Sequence, residues 1–191
     1  ASESAEQLRQ VGVNRPTHVF IQAGVGSLAG AVVGYYTNLF PNDPPKFIVM
    51  EAMAADCLYQ GALAGDGKPR AVTGDLRTIM AGLACGEPNT ISWDILRNHV
   101  SAFVSCPDWV SARGMRMLAV PVKGDPTVIS GESGAVGMGL LAALMEDDWY
   151  GDLREAIGLD RFSQVLMFST EGNTDPLKFR KVIWDGEYAT V

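Results

Sequence analysis

The spacing of apolar positions switches repeatedly between strand-like and helix-like along the chain. Thr17–Ala23 is rich in β-branched and aromatic residues and carries no formal acid or base other than His18, which predicts a buried strand. Leu28, Ala31, Val32, Tyr35, Tyr36 and Leu39 then recur at helical spacing, and Pro41 and Pro44-Pro45 end that helix. Phe47–Met50 predicts a second strand closed by Glu51, and Ala54–Leu63 a helix broken by Gly65-Asp66-Gly67. Thr78–Ala84 reads as a short apolar helix or turn. Ser92 predicts an N-cap for a helix over Trp93–Val100, Ala102–Cys106 a short strand, and Asp108 an N-cap for a helix through Leu118. Ser133–Met145 is small and apolar, the pattern of a helix packed closely on a sheet. Gln164–Ser169 predicts the last clear strand and Pro176–Lys181 a short final helix. At the start of the chain, Ser4 with Gln7 predicts a capping box and Gly12 a helix stop. Strands separated by helices predict an α/β fold: a mostly parallel sheet covered on both faces, three layers in all.

Composition narrows the function classes. A chain of 191 residues with 47% hydrophobic content suits one domain or part of a larger one. A net charge of −7 argues against a nucleic-acid partner. No apolar run reaches the roughly 18 residues of a membrane span, and no secretory signal opens the chain. Cys57, Cys85 and Cys106 form no CxxC pair and only His18 and His99 accompany them, so no metal site is expected. The odd cysteine count fits a reducing cytoplasm, which weighs against a Cys85–Cys106 bridge. The chain opens Ala1-Ser2-Glu3-Ser4 without methionine, so a processed start and a start within a longer protein both stay open.

Candidate chemistry begins at Gly24-x-Gly26-x-x-Ala29, directly after the first strand. Glycine lets the backbone approach an anion, and the free N–H groups of a helix start point toward it. With Glu51 ending the next strand, this matches an Ala-ended dinucleotide fingerprint. Another phosphate ligand or a purely structural turn fits the same residues. Two further segments shift the balance. Ser130–Gly137 is a second glycine-rich turn running into a helix, and Phe168–Asp175 is a hydroxyl-rich loop directly after a strand. A dinucleotide domain has no particular use for both.

Gly24–Ser27, Glu132-Ser133-Gly134-Ala135 and Ser169-Thr170-Glu171-Gly172-Asn173 together resemble the loops of fold type II pyridoxal-phosphate enzymes, the group of tryptophan synthase β and the serine and threonine dehydratases. Thr78–Asn89, with its Leu-Ala-Cys-Gly-Glu-Pro-Asn string, Trp93–Asn98, Ile129–Gly137 and Ser169–Asp175 narrow the resemblance to the diaminopropionate ammonia-lyases. It runs from about Gln7 to Gly186. The resemblance implies that residues 1–191 are a C-terminal portion of the large, cofactor-binding domain. It implies pyridoxal 5'-phosphate as cofactor, a small amino acid as substrate, and α,β-elimination of 2,3-diaminopropionate to pyruvate and ammonia. Gly24, Val25, Gly26, Ser27 and Leu28 would hold the cofactor phosphate. Ser169 would meet the ring nitrogen, with Thr170 and Asn173 in the same loop. Glu132 would sit near the ring hydroxyl, or equally serve as an N-terminal carboxylate for its helix.

The family's Schiff-base lysine, in a Ser-Phe-Lys-like motif upstream of the glycine loop, has no counterpart here. Lys46, Lys68, Lys123, Lys178 and Lys181 all read as surface residues. The resemblance therefore implies a partner, the N-terminal half of the enzyme, without which the chain is catalytically incomplete, and it implies a tendency to homodimers in the cytoplasm. A nicotinamide-binding domain using Gly24–Ala29 and Glu51, and a non-catalytic interaction module derived from a lyase, are the rival readings.

Overall fold

In the computed structural model, which describes residues 1–189, four strands form one sheet in the order β3-β2-β1-β4. They are β1 (His18–Gln22), β2 (Lys46–Ala52), β3 (Val100–Cys106) and β4 (Val165–Met167). All three pairings are parallel, and His18 of β1 lies opposite both Lys46 and Val165. Every residue of β1 is buried, as its uninterrupted apolar run requires of a central strand covered on both faces.

Alternation along the strands sorts the core into two layers. Val19 and Ile21 of β1, with Phe47 and Val49 of β2, pack against α2 (Ser27–Leu39), α3 (Cys57–Ala64) and α4 (Thr90–His99). Phe20, Ile48 and Met50 face the opposite way, onto α5 (Asp108–Ala119), α6 (Glu132–Glu146), α7 (Gly151–Ala156) and α8 (Pro176–Ile183). The first helix, α1 (Ser2–Gln10), joins the α2 side through a hydrogen bond of 2.8 Å between the Ser4 and Tyr36 hydroxyls. The result is the expected α/β/α sandwich.

The helix α6 is buried along most of its length because it lies backbone-to-backbone on α5. A methyl on Gly114 would overlap the Ala135 carbonyl, and one on Gly139 would overlap the Val110 carbonyl. Small residues here are the condition for the approach, which is why Ser133–Met145 is so poor in bulk.

Several local expectations are corrected. The Ser4–Gln7 capping box does not form: α1 starts earlier, and the Ser4 hydroxyl is engaged with the Ala1 carbonyl at 2.7 Å and with Tyr36. Asn89, not Ser92, caps α4, its side chain accepting from the Ser92 N–H at 2.9 Å. Asp108 lies inside the first turn of α5 after Pro107, and its carboxylate instead holds the Thr78 hydroxyl and the Ile79 N–H. Glu51 does not close β2; the strand runs on to Ala52. Residues 147–160, which carry no clear period, fold as a 3-10 turn (Asp148–Tyr150) and α7, with Ile157 and Leu159 buried beneath them.

Candidate active site

The chain runs from β1 through α2 to β2 on one side, while β4 pairs on the other side of β1. The chain leaving β1 enters α2 on one face of the sheet and the chain leaving β4 enters α8 on the other, and between two such loops open parallel sheets form ligand crevices. A cavity of about 270 Å³ lies there. Gln22 through Leu28 form one wall, Gly82, Leu83 and Cys85 another, and Ser133, Thr170 and Glu171 the third.

The first wall is a row of unused donors. Among the described residues, no backbone N–H from Gly24 through Ala29 donates to a protein acceptor; the first amide of α2 to do so is that of Gly30, to Gly26 at 2.7 Å. Gly26 caps α2 at φ +93°, a conformation that favours glycine, and supplies no side-chain cap. A Cβ on Gly24 would sit 3.3 Å from the Gly82 carbonyl and 3.4 Å from Leu83 Cα, closing the gap between the two walls. Neither Lys nor Arg lines the cavity, so the cationic features on offer to an anion there are the aligned amides and the positive end of α2.

Each wall is braced from behind. The Val25 carbonyl accepts from Asn89 N–H at 2.8 Å. Gly82 N–H donates to the Ser133 hydroxyl at 3.2 Å. Gln22 reaches across from β1, its Nε2 donating to the Phe168 carbonyl at 2.8 Å and to the Thr170 hydroxyl at 2.9 Å, and so fixes the loop that follows β4. Glu171 ties that loop to α6: its carboxylate accepts from Ser133 N–H at 2.9 Å and its carbonyl from Gly131 N–H at 3.0 Å.

Of the candidate residues from sequence, Gly24, Val25, Gly26, Ser27, Leu28 and Thr170 meet at this cavity. Ser169 lies next to it but lines an adjoining, more apolar cavity with Gly134, Met138 and Met167. Glu132 is in the first turn of α6 and does not line the cavity; burial raises its carboxyl above the usual range, and Glu171 and Asp175 add to the rise. The side chain that caps α6 is that of Glu171. Asn173 is exposed on the outer part of the loop. Gln22, Ala23, Gly82, Leu83, Cys85, Ser133 and Glu171 complete the cavity without having been given a role from sequence. Their segments carry the resemblance, but their placement depends on contacts between distant parts of the chain.

Glu51 is unavailable to a ribose. It is fully buried, and its two carboxylate oxygens accept from Leu58 N–H at 2.8 Å and Tyr59 N–H at 2.6 Å, at the start of α3. Burial pushes its pKa up to about 8 despite these two donors. Burial likewise raises the Cys57 and Cys106 thiols to about 12. All three cysteines are free, so Cys85 and Cys106 are not bridged. Among the described residues there is no group of three His, Cys, Asp or Glu side chains suited to a metal ion, and no helix is long and apolar enough to cross a membrane. The five lysines lie away from the cavity; Lys178 is paired with Glu187 at 3.2 Å.

Residues 1–152 match the family model described as pyridoxal-phosphate dependent enzyme. The diaminopropionate ammonia-lyase of Salmonella typhimurium is 50% identical over 190 residues, covering 99% of this chain and 47% of the relative. The crystal structure of the Escherichia coli diaminopropionate ammonia lyase in complex with an aminoacrylate-PLP azomethine reaction intermediate superposes with a TM-score of 0.87 at 46% identity, over 98% of this chain and 47% of that one. Maize serine racemase, at 21% identity and a TM-score of 0.71 over 97% of this chain and 52% of that one, shares the fold. The chain thus spans about half the length of the curated relatives it matches. With the family model covering most of its length, the chain belongs to the pyridoxal-phosphate dependent enzyme family.

Proposed function

We propose that residues 1–191 form the C-terminal, cofactor-supporting portion of the large domain of a lyase that converts 2,3-diaminopropionate to pyruvate and ammonia by α,β-elimination. The observation that carries this reading is the row of unpartnered N–H groups from Gly24 to Leu28, on residues that line a cavity also bordered by Thr170. The donor set suits a phosphate monoester: amides from a left-handed glycine turn, the start of a 13-residue helix, and no cation.

In this reading Gly24, Val25, Gly26, Ser27 and Leu28 bind the phosphate of pyridoxal 5'-phosphate. Gln22 keeps Ser169 and Thr170 at the mouth of β4, where a neutral hydroxyl serves the ring nitrogen. Glu171 orders the Ser130–Ser133 turn opposite. Glu132 and Asn173 belong to the shell around these loops. When bound, the cofactor supplies the electron sink that accepts the pair released as the α-proton leaves. The chain's own part is to grip the phosphate, orient the ring and offer a hydroxyl rather than a carboxylate to its nitrogen. None of the five lysines lines the cavity, so the lysine that engages the cofactor aldehyde belongs to another part of the protein, the implied N-terminal half, in a cytoplasmic enzyme.

The test is turnover of 2,3-diaminopropionate by the complete protein supplied with pyridoxal 5'-phosphate, followed by borohydride reduction and peptide mapping. The reading expects pyruvate, two equivalents of ammonia, and a labelled lysine that is none of Lys46, Lys68, Lys123, Lys178 and Lys181. Absence of turnover, or label on one of those five, would overturn it. Relatives that are diaminopropionate ammonia-lyases, at identities of 48–50%, favour this over a nicotinamide site, whose carboxylate would be the inaccessible Glu51.

A further inference from the structure

Glu51 is the one fully buried carboxylate among the described residues, and the proposed reaction gives it no task. Its surroundings connect it to the anion cradle. Its oxygens hold the N–H groups of Leu58 and Tyr59 and so fix the start of α3. The Leu58 side chain is the floor under Gly26: a Cβ there would lie 3.2 Å from Leu58 Cδ1. The neighbouring Cys57 thiol lies 3.8 Å from the Gly24 carbonyl and 3.6 Å from the Cys85 carbonyl, one from each of two cavity walls. Residues 57 and 58 therefore touch the cradle at Gly24, Gly26 and Cys85, and Glu51 is what holds them in place.

We propose that Glu51 is a positioning residue for the phosphate site, setting the aim of the Gly24–Ala29 amides through Cys57 and Leu58 without touching the ligand. This rests on the reading of that cavity as a phosphate site. Two backbone donors on one carboxylate fix the angle as well as the position of the α3 start, which a single acceptor cannot do. Aligned amides lose their hold on an anion quickly when tilted, since hydrogen bonds weaken steeply away from linearity. The titratable groups that face the carboxyl are Asp56 and Cys57 from the α3 side and Cys106 from β3.

The experiment uses the complete protein stripped of cofactor. Inorganic phosphate and pyridoxal 5'-phosphate are titrated against wild type, Glu51→Gln, Glu51→Ala and a control, Leu144→Ala, which removes buried bulk from the opposite layer. Phosphate binding is read by ³¹P NMR and cofactor binding by fluorescence, with a melting curve for each variant. The expectation is an affinity loss of about tenfold or more for both ligands in Glu51→Ala, the equivalent of one good hydrogen bond's worth of alignment, and a smaller loss in Glu51→Gln, which keeps one acceptor. Leu144→Ala should melt lower yet bind as wild type. If Glu51→Ala does not fold, Glu51→Gln and Cys57→Ala, each expected to weaken both ligands, decide the matter. Unchanged affinities in the folded Glu51 variants, or an equal loss in Leu144→Ala, would overturn the positioning role. Failure of wild type to bind either ligand would instead overturn the phosphate site itself, and this role with it.

Discussion

A methyl group on Gly26 would meet Leu96 Cδ1 at 3.1 Å and Leu58 Cδ1 at 3.2 Å while forcing a side chain into φ +93°. Gly26→Ala should therefore weaken pyridoxal 5'-phosphate binding by about tenfold or more, read by cofactor fluorescence, because the strain falls on the amides proposed to hold the phosphate. Ser169→Asp puts a charge where the proposed function places a neutral hydroxyl. Pyruvate formation should slow by at least about tenfold, and an unchanged rate would remove Ser169 from the ring-nitrogen role. Glu51 makes a prediction about pH. Its folded-state pKa is raised, to about 8, so the folded protein binds its proton more tightly than the unfolded chain does. Its contribution to stability is full below the ordinary carboxylate range and is lost as pH rises through about 8. Melting temperature should fall between pH 5 and 9 in wild type, and the slope should flatten in Glu51→Gln. Gly24 and Gly26 were legible because a strand, two glycines and a helix pattern follow one another within a dozen residues. Gln22 and Glu171 were not, because their partners, Thr170 and Ser133, are 148 and 38 positions away. Glu51 was legible as a residue of interest, with a ribose contact only as a rival reading: a strand-end carboxylate looks the same in sequence whether it points at a ribose or at the next helix.

Elements with a clean period were legible, and their ends were less so. β1, α2 and α6 fall where the apolar pattern puts them, since each buries a face that composition alone marks out. Both Asn89 and Ser92 are good capping residues, and their three-residue separation is that of a cap and the amide it binds. The sequence pattern pointed to Ser92, and the structure gives the cap to Asn89. Asn89→Ala should cost about 1 kcal/mol in denaturant unfolding. The segment after α6 was illegible because a 3-10 turn and a six-residue helix have too few positions to show a period. The α5–α6 contact carries the sharpest prediction at this scale. Gly139→Ala forces the two helices apart and should destabilise the protein by about 3 kcal/mol, seen as a lower urea midpoint, whereas Met145→Ala near the half-exposed end of α6 should be nearly neutral.

At the scale of the whole molecule, the sheet places β1 between β2 and β4 and so opens a crevice between the loops that follow β1 and β4. Every loop singled out from the sequence as chemical (24–30, 130–137 and 168–175) reaches that crevice or its immediate border. Three short glycine- and hydroxyl-rich segments, each unremarkable alone, become a site because parallel strands deliver their carboxyl ends to one side. The dinucleotide reading fails at the same scale, since its carboxylate belongs to the packing between β2 and α3. Everything proposed for this crevice depends on residues 24–28 holding a phosphate. The most direct measurement compares the dissociation constants of pyridoxal 5'-phosphate and unphosphorylated pyridoxal for the complete, cofactor-free protein. Pyridoxal should bind at least about 100-fold more weakly, because it leaves the amide row of Gly24–Leu28 without its anion. Equal affinities for the two would contradict it.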